Sequence, residues 1–318
     1  TPRLELEILE DYSTRFAALR AGRVDMAGLL PSHWTALQDI EGWRERWNVT
    51  PYRVLFFWYV AWRMDGTNPF FDHAPVRLAM THAIDRRGYL DSLFDGEGRI
   101  ATTSFHPDGW AYDESLEPWP HDPDRARELL EQAGWTDRDD DGVRERQGRD
   151  FRFTLTFPQT SAETEKIATL VQADLREIGV ACELEPLEWA VFLERIRGGG
   201  FESMMSGWRL GAQPDPHQLW HSSQVDDGAN YAGLSDPQID AWIEQARRTI
   251  DRDARRKLFR RIQQRLHSLQ PNTFFFYPTS RLAFDRRIEG VEVGPLGPLR
   301  GWPGPYAWHQ RAAPDRED

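Results

Sequence analysis

The sequence predicts an α/β fold with mixed sheets, on three observations. Residues 151–157 alternate strictly, with Phe151, Phe153, Leu155 and Phe157 on one side. Behind them Ile167, Leu170, Val171, Leu175 and Ile178 recur at helical spacing, Gly179 ends the run, and a second alternating stretch follows at 180–185. Strand, helix and strand in such quick succession make a βαβ unit, which forces a parallel pairing. The second observation is a repeated helix start. Asp122-Pro123 and Asp236-Pro237 each place a capping carboxylate before a proline at the first helical position. The third is length: 318 residues exceed what one hydrophobic core usually serves, so two lobes are expected.

The remaining elements follow in chain order. Leu4, Leu6 and Ile8 alternate and predict an opening strand over 4–9. Ser13 or Thr14 can cap a helix ending at Gly22, and 24–30 reads as a second strand stopped by Pro31. Residues 52–62 form one strongly aromatic strand, and 76–89 one helix after a loop at 68–72. Gly134 closes the helix that Asp122 opens, and Thr160 with Glu163 resembles a capping box ahead of the long helix. A further helix is expected over 189–197, a strand over 203–208, a long helix over 251–269 broken by Pro271, and late strands over 273–277 and 287–293. Residues 294–306 read as a Gly/Pro-rich loop and 311–318 as a frayed tail.

Composition excludes several functions. The chain carries 39 basic against 51 acidic side chains, net −12, which argues against a general nucleic-acid binder. Basic runs such as Arg255-Arg256-Lys257 sit among acidic neighbours and read as a solvated helix face. A single cysteine, Cys182, rules out an internal disulfide framework, and the alternation of 180–185 places it on an apolar face as a buried thiol. No run of 18 apolar residues is present to span a membrane. With no initiator methionine and no signal-like opening, the chain is expected to be a mature or truncated product. Nucleophile elbows, phosphate loops and metalloprotease helices are all missing, which points away from an enzyme.

Five stretches, taken in order, carry a resemblance. They are Leu19-Arg-Ala-Gly-Arg-Val-Asp25; Asn68-Pro-Phe-Phe-Asp72 followed by Val76-Arg-Leu-Ala-Met-Thr-His-Ala-Ile-Asp-Arg86; and His121-Asp-Pro-Asp-Arg-Ala-Arg-Glu-Leu-Leu-Glu-Gln-Ala-Gly-Trp135. The others are Gly207-Trp208 with Asp215-Pro216, and Asn230-Tyr-Ala-Gly-Leu-Ser-Asp-Pro-Gln-Ile-Asp240 continuing through Arg255-Arg-Lys-Leu-Phe259 to Pro271. This ordered set resembles the family 5 extracellular solute-binding proteins, which serve peptide, nickel and related ABC importers. The resemblance implies a type II periplasmic-binding-protein-like fold. Residues 62–277 would form the second, ligand-binding lobe, and 1–61 with 278–310 a remnant of a first lobe that is largely absent here. It further implies a monomer that captures a small solute reversibly in an inter-lobe cleft, closes at strands near 52–62 and 272–285, and delivers its cargo to ABC permease subunits. No cofactor is implied. The location would be periplasmic or extracytoplasmic, with a membrane tether ahead of the segment given. A nickel or metallophore carrier and a ligand-sensing receptor domain are the alternatives.

The candidate site follows from the same resemblance. In peptide-binding relatives two tryptophans of the second lobe line the pocket, one opening a helix and one ending the next strand; Trp189 and Trp208 occupy those places. Arg195, Arg197 and Arg209 are near enough in sequence to pair with a ligand carboxylate. The same relatives carry an aspartate three residues after the second tryptophan, which anchors the ligand's α-amino group, and here Gly211 stands instead. Ordinary free-amine peptides are therefore expected to be poor ligands. Two metal readings come from spacing alone. His217 and His221 stand at i, i+4, a spacing that can present two imidazoles to one ion, or one histidine can cap or pack. Asp137, Asp139 and Asp141 before Gly142 open like a calcium loop, but Gly148 stands where an EF-hand needs glutamate, and an acidic hairpin turn accounts for the same residues.

Overall fold

The computed structural model describes residues 3–9, 11–294, 297, 299 and 304–311. The first half holds α1 (Tyr12–Ala21), β1 (Met26–Leu29), α2 (Pro31–Gln38), α3 (Trp43–Arg46), β2 (Trp47–Arg53), β3 (Phe56–Trp62), α4 (Ala74–Ala83), α5 (Arg86–Phe94), β4 (Gly98–Ile100), α6 (Pro123–Gln132), β5 (Glu145–Arg146), β6 (Arg149–Asp150) and β7 (Arg152–Pro158). After these come α7 (Ala162–Glu177), β8 (Ala181–Leu187), α8 (Trp189–Arg197), β9 (Ser203–Arg209), α9 (His217–Trp220), α10 (Pro237–Arg248), α11 (Arg252–Leu269), β10 (Asn272–Phe274), β11 (Phe276–Asp285), β12 (Ile288–Glu289) and β13 (His309–Gln310). They group into two compact units. One comprises Thr1–Leu55, Leu93–Gly98 and Pro278–Asp318, the other Phe56–Ser92 and Arg99–Tyr277.

The larger unit is built on a five-stranded mixed sheet in the order β10-β3-β9-β7-β8. The βαβ unit sets its parallel part: β7 pairs β8 in parallel along Arg152↔Ala181 to Pro158↔Leu187, with α7 as the crossover. Alternation then sorts side chains between two faces. Phe57, Tyr59, Ala61 and Met204 face a core completed by Phe192 and Ile196 of α8, Ile239 and Ile243 of α10, and Phe259 and Ile262 of α11. Trp62 and Phe153 point the other way and meet Phe71 at ring-centroid distances of 4.8 and 5.0 Å. Two guanidinium groups are sealed inside this unit with only carbonyl oxygens as partners. Arg77 donates to Phe71, Asp72, Leu269 and Gln270. Arg86 donates to Phe274, Ala101 and Trp119. Burial lowers both to about 10.

The smaller unit carries an antiparallel sheet in the order β1-β11-β2. Its core is a modest cluster of Phe16, Leu19, Leu29, Leu37, Trp47 and Ala283. Pro51 is tolerated in β2 because that strand has β11 on one side only.

Several expected elements differ. Residues 4–9 form no strand: Leu4, Leu6 and Ile8 are 48, 68 and 90 % exposed, and an extended segment without a ladder partner gains nothing from its alternation. The single strand at 52–62 is two strands in different sheets, separated at residues 54–55. The single helix at 76–89 breaks after Ala83, because the Asp85 N–H is taken by Asp174 (2.8 Å) while the Asp85 carboxylate caps α5 through Gly88 N–H (2.9 Å). Asp11, rather than Ser13 or Thr14, caps α1 by accepting from Thr14 N–H at 2.7 Å. Ser161 replaces the expected Thr160 box ahead of α7. The late strands run 276–285 and 288–289 instead of 273–277 and 287–293, with β10 shortened to three residues. Much of the loop at 294–306 and the tail after residue 311 lie outside the described residues.

Candidate functional site

The two candidate tryptophans are carried by rigid elements on one face of the larger sheet. Trp189 is the first residue of α8, whose start is fixed by Glu188: its carboxylate accepts the Ala190 and Val191 N–H groups at 2.8 and 3.4 Å. The α8 apolar stripe, Phe192 and Ile196, enters the core, which leaves Trp189 at the rim. There it is 48 % exposed and lies over Phe192 at a centroid distance of 5.9 Å. Trp208 sits on β9 opposite Phe57, half-buried against the same core cluster. One indole is thus largely free and the other half-free, both resting on Phe192 and its neighbours. Neither is sealed inside.

Gly207, just before Trp208, explains how the strand accommodates its aromatic neighbours. Its position in β9 pairs with Trp58, and a Cβ there would collide with the Phe56 ring. Phe56 and Trp58 stand edge to face at 5.5 Å on the side of the sheet opposite Trp208. This aromatic shelf was not singled out from the sequence, although the Gly-Trp pair marks where a ring crosses the backbone.

The three arginines divide. Arg195 is committed to Glu185 at 3.0 Å, and Glu185 is itself held by the Thr156 hydroxyl at 2.7 Å. Arg197 hydrogen-bonds the Tyr231 hydroxyl, a group whose pKa burial raises and the guanidinium pulls back. Arg209 is exposed, with no ion pair or hydrogen bond among the described residues. The sequence offered no sign of the Arg197–Tyr231 contact, because 34 positions separate the partners. Gly211 is exposed, and a Cβ at that position would meet only the Gln213 carbonyl oxygen at 3.4 Å. A side chain fits there.

The histidine pair is brought together: the rings stack at 4.6 Å, 23° from parallel. His221 Nδ1 accepts the Ser223 N–H at 3.2 Å, which places the proton of a neutral ring on Nε2, 3.6 Å from Glu244. A metal at Nε2 would need that proton moved to Nδ1 and the Ser223 contact broken. His217 has its pKa lowered, first by burial and then by Arg247. The acidic loop converges differently from the expected trio. Asp137, Asp139 and Glu145 offer oxygens within 4.8 Å of one another, whereas Asp141 turns to the Val143 N–H at 2.7 Å. Two of the converging carboxylates already hold backbone donors, Gly142 N–H on Asp137 and Arg138 N–H on Glu145. Cys182 is buried, its thiol pushed up to about 12 by burial, and serves packing. No helix among the described residues is long and apolar enough to cross a membrane.

The larger unit thus carries both Trp189 and Trp208 on one face of its five-stranded mixed sheet, neither of them fully buried. The model of the bacterial extracellular solute-binding proteins, family 5 Middle, matches residues 2–230, and the chain belongs to that family. The oligopeptide-binding protein AppA of Bacillus subtilis is 27% identical over 293 residues, covering 91% of this chain and 53% of that protein. The nickel-binding periplasmic protein of Escherichia coli K12 is 35% identical over 196 residues, covering 60% of this chain and 37% of that protein. The solved structure of AppA with a nonapeptide superposes with a TM-score of 0.83 at 27% identity, over 96% of this chain and 59% of that one. The fold is accordingly that of the type II periplasmic binding proteins, and the chain spans about half the length of the curated relatives it matches.

Proposed function

We propose that this chain is the solute-gripping part of an extracytoplasmic binding protein that hands its ligand to an ABC importer, with capture by contact and no bond made or broken. The observation that carries this reading is the placement of Trp189 and Trp208. A large apolar ring left 48 % exposed at the head of a rigid helix gives folding only part of its area, whereas its open face offers a guest molecule a flat wall. Arg209, without an ion pair among the described residues, supplies a cation on the strand that carries Trp208, suited to an anionic group of the solute. Kinship with a protein named for oligopeptides and another named for nickel supports a solute of peptide or chelate type.

Native mass spectrometry of the protein from its own host identifies the co-purified solute, and calorimetry with that solute tests the wall. Trp189→Ala is expected to weaken binding at least about tenfold while costing only about 1 kcal/mol of stability, since half of the ring already lies in solvent. Unchanged affinity in this variant sinks the reading. With Gly211 in place of a carboxylate, unmodified di- and tripeptides should bind weakly, because a desolvated ammonium would lack a counter-charge. Gly211→Asp, for which the backbone has room, should strengthen them by about tenfold or more. Tight binding of unmodified dipeptides to the unaltered chain would remove the Gly211 argument and leave the wall untouched.

A further inference from the structure

The outward side of α11 stands apart from the rest of the molecule in charge. Residues 252–261 hold Arg252, Arg255, Arg256, Lys257, Arg260 and Arg261 against the single carboxylate Asp253, in a chain of net −12. Leu258, Phe259, Ile262, Gln263 and Leu266 turn inward, so Lys257, Arg260, Arg261 and Gln264 share the exposed side. The nearby acids are occupied. Asp253 pairs with Arg256 at 3.4 Å, and Asp251 caps the helix through Ala254 N–H at 2.7 Å. Arg252 and Arg255 each lie over the Trp110 ring, at 4.9 and 4.8 Å from its centroid. A cation–π contact leaves the positive charge in place where an ion pair would cancel it. Among the described residues Lys257, Arg260 and Arg261 form no ion pair. Beside the start of this stripe Ile250 is 96 % exposed, flanked by Arg248 and Arg252.

From this juxtaposition we infer that the start and outer side of α11, with Ile250, form a contact surface for an anionic phospholipid bilayer. Each component matches one layer of such a surface. Guanidinium groups meet phosphate oxygens in a bidentate fork. A protruding isoleucine suits the acyl boundary just below the headgroups. An acidic protein partner would use the cations equally well, and the Ile250 arm of the test separates it from a bilayer. Each cation near an anionic surface multiplies binding by about fivefold, so the cluster gives weak, salt-sensitive association. That suffices to keep a carrier close to a membrane. The surface uses none of the residues of the tryptophan wall, and its test does not depend on the solute.

The whole chain is sedimented with vesicles of phosphatidylcholine containing roughly one quarter phosphatidylglycerol, and with pure phosphatidylcholine, at low and near-physiological salt. Binding is expected only to the anionic vesicles, falling steeply with salt. Lys257→Glu/Arg260→Glu/Arg261→Glu should weaken it at least about tenfold, and Ile250→Asp by several-fold. An equal reversal at the exposed Arg87, Arg138 and Arg152 controls for net charge and should keep most of the binding. No association with anionic vesicles at low salt overturns the inference. So does equal binding to pure phosphatidylcholine, or an equal loss in the control variant. Tight binding to soluble polyglutamate with no effect of Ile250→Asp would make the patch a protein-docking surface and overturn the lipid assignment as well. Thermal melts of every variant show whether the fold is intact.

Discussion

The two compact units differ in how they enclose their most deeply buried cations, although the larger unit also holds the less buried Arg144, which pairs with the exposed Glu131 at 3.3 Å. In the larger unit Arg77 and Arg86 are enclosed by carbonyl oxygens alone, and no carboxylate bonds either one. In the smaller unit Arg281 pairs with Glu97, whose side chain is 37% exposed, and lies over the Trp34 ring at 5.1 Å. The difference follows from core size. The larger unit has a sheet with apolar packing on both faces, so its interior can fix backbone acceptors rigidly around a guanidinium. The smaller unit has the shorter cluster from Phe16 to Ala283, with Phe94, Leu282, Phe284 and Trp308 also buried, and leaves Leu4, Leu6, Ile8 and Tyr12 exposed. Its charge is neutralised at the margin, where solvent still helps.

The largest expected effect tests that contrast directly. Arg86→Met fills much of the volume but leaves the Phe274, Ala101 and Trp119 carbonyls without their donor, and should cost about 3–5 kcal/mol in denaturant unfolding. Arg281→Met releases Glu97 to partial solvent and should cost about 1–2 kcal/mol. Equal costs would show that the two interiors are not different in kind.

Amide exchange sharpens the same comparison at smaller scale. The strand β7 is paired on both sides, by β8 and β9, under a large core, whereas β1 has β11 on one side over a small one. Local opening samples weakly buried segments first. Amides of Phe153, Leu155 and Phe157 should therefore exchange about 100-fold more slowly than those of Ala27 and Leu29. Similar rates would mean the small cluster around Leu19 is as firm as the large one.

How much of this was legible in the sequence follows the same division. The βαβ unit at 151–187 was readable because its alternation, helical spacing and Gly179 stop agree at every level. Both Asp-Pro helix starts hold for the same reason: Asp122 accepts from Arg125 N–H and Asp236 from Gln238 and Ile239 N–H. The misreadings cluster where distant residues decide. Asp174 breaks the helix at 76–89 from 89 positions away, and the split of 52–62 depends on which sheet each half joins. Residues 4–9 have the pattern of a strand, but pattern cannot supply a neighbour. At the candidate site, Trp189 and Trp208 could be placed on their elements by a family likeness. The commitment of Arg195 to Glu185 and of Arg197 to Tyr231 was invisible, because pairing across a fold leaves no local mark.

Acid should separate the units through different groups, with the smallest effects of the set. In the larger unit Trp119 is stacked on His267 at 4.9 Å and meets the His82 ring at 5.6 Å. His82 Nδ1 donates to the Pro120 carbonyl and His267 Nε2 to the Glu117 carbonyl, both at 2.9 Å, so the two rings clasp the segment around Trp119. Burial lowers both imidazoles below the ordinary value of 6.5. The unfolded chain then takes up protons first as pH falls, so this contribution is complete above about 6.5 and declines as pH drops below it. In the smaller unit Asp285 is held below the ordinary 3.8 by hydrogen bonds from Arg287. Its contribution is complete above 3.8 and is lost only as pH falls through the lowered value. Mild acid should therefore loosen the Trp119 segment while leaving the Asp285–Arg287 corner intact. Histidine-resolved NMR titration with amide exchange at 115–122 and 285–287 checks the order; His82→Gln/His267→Gln should flatten the dependence between about pH 5 and 7 and spare the strongly acidic limb. If both segments loosen together at the same pH, acid acts on the molecule as a whole and the contrast between the units does not extend to titration.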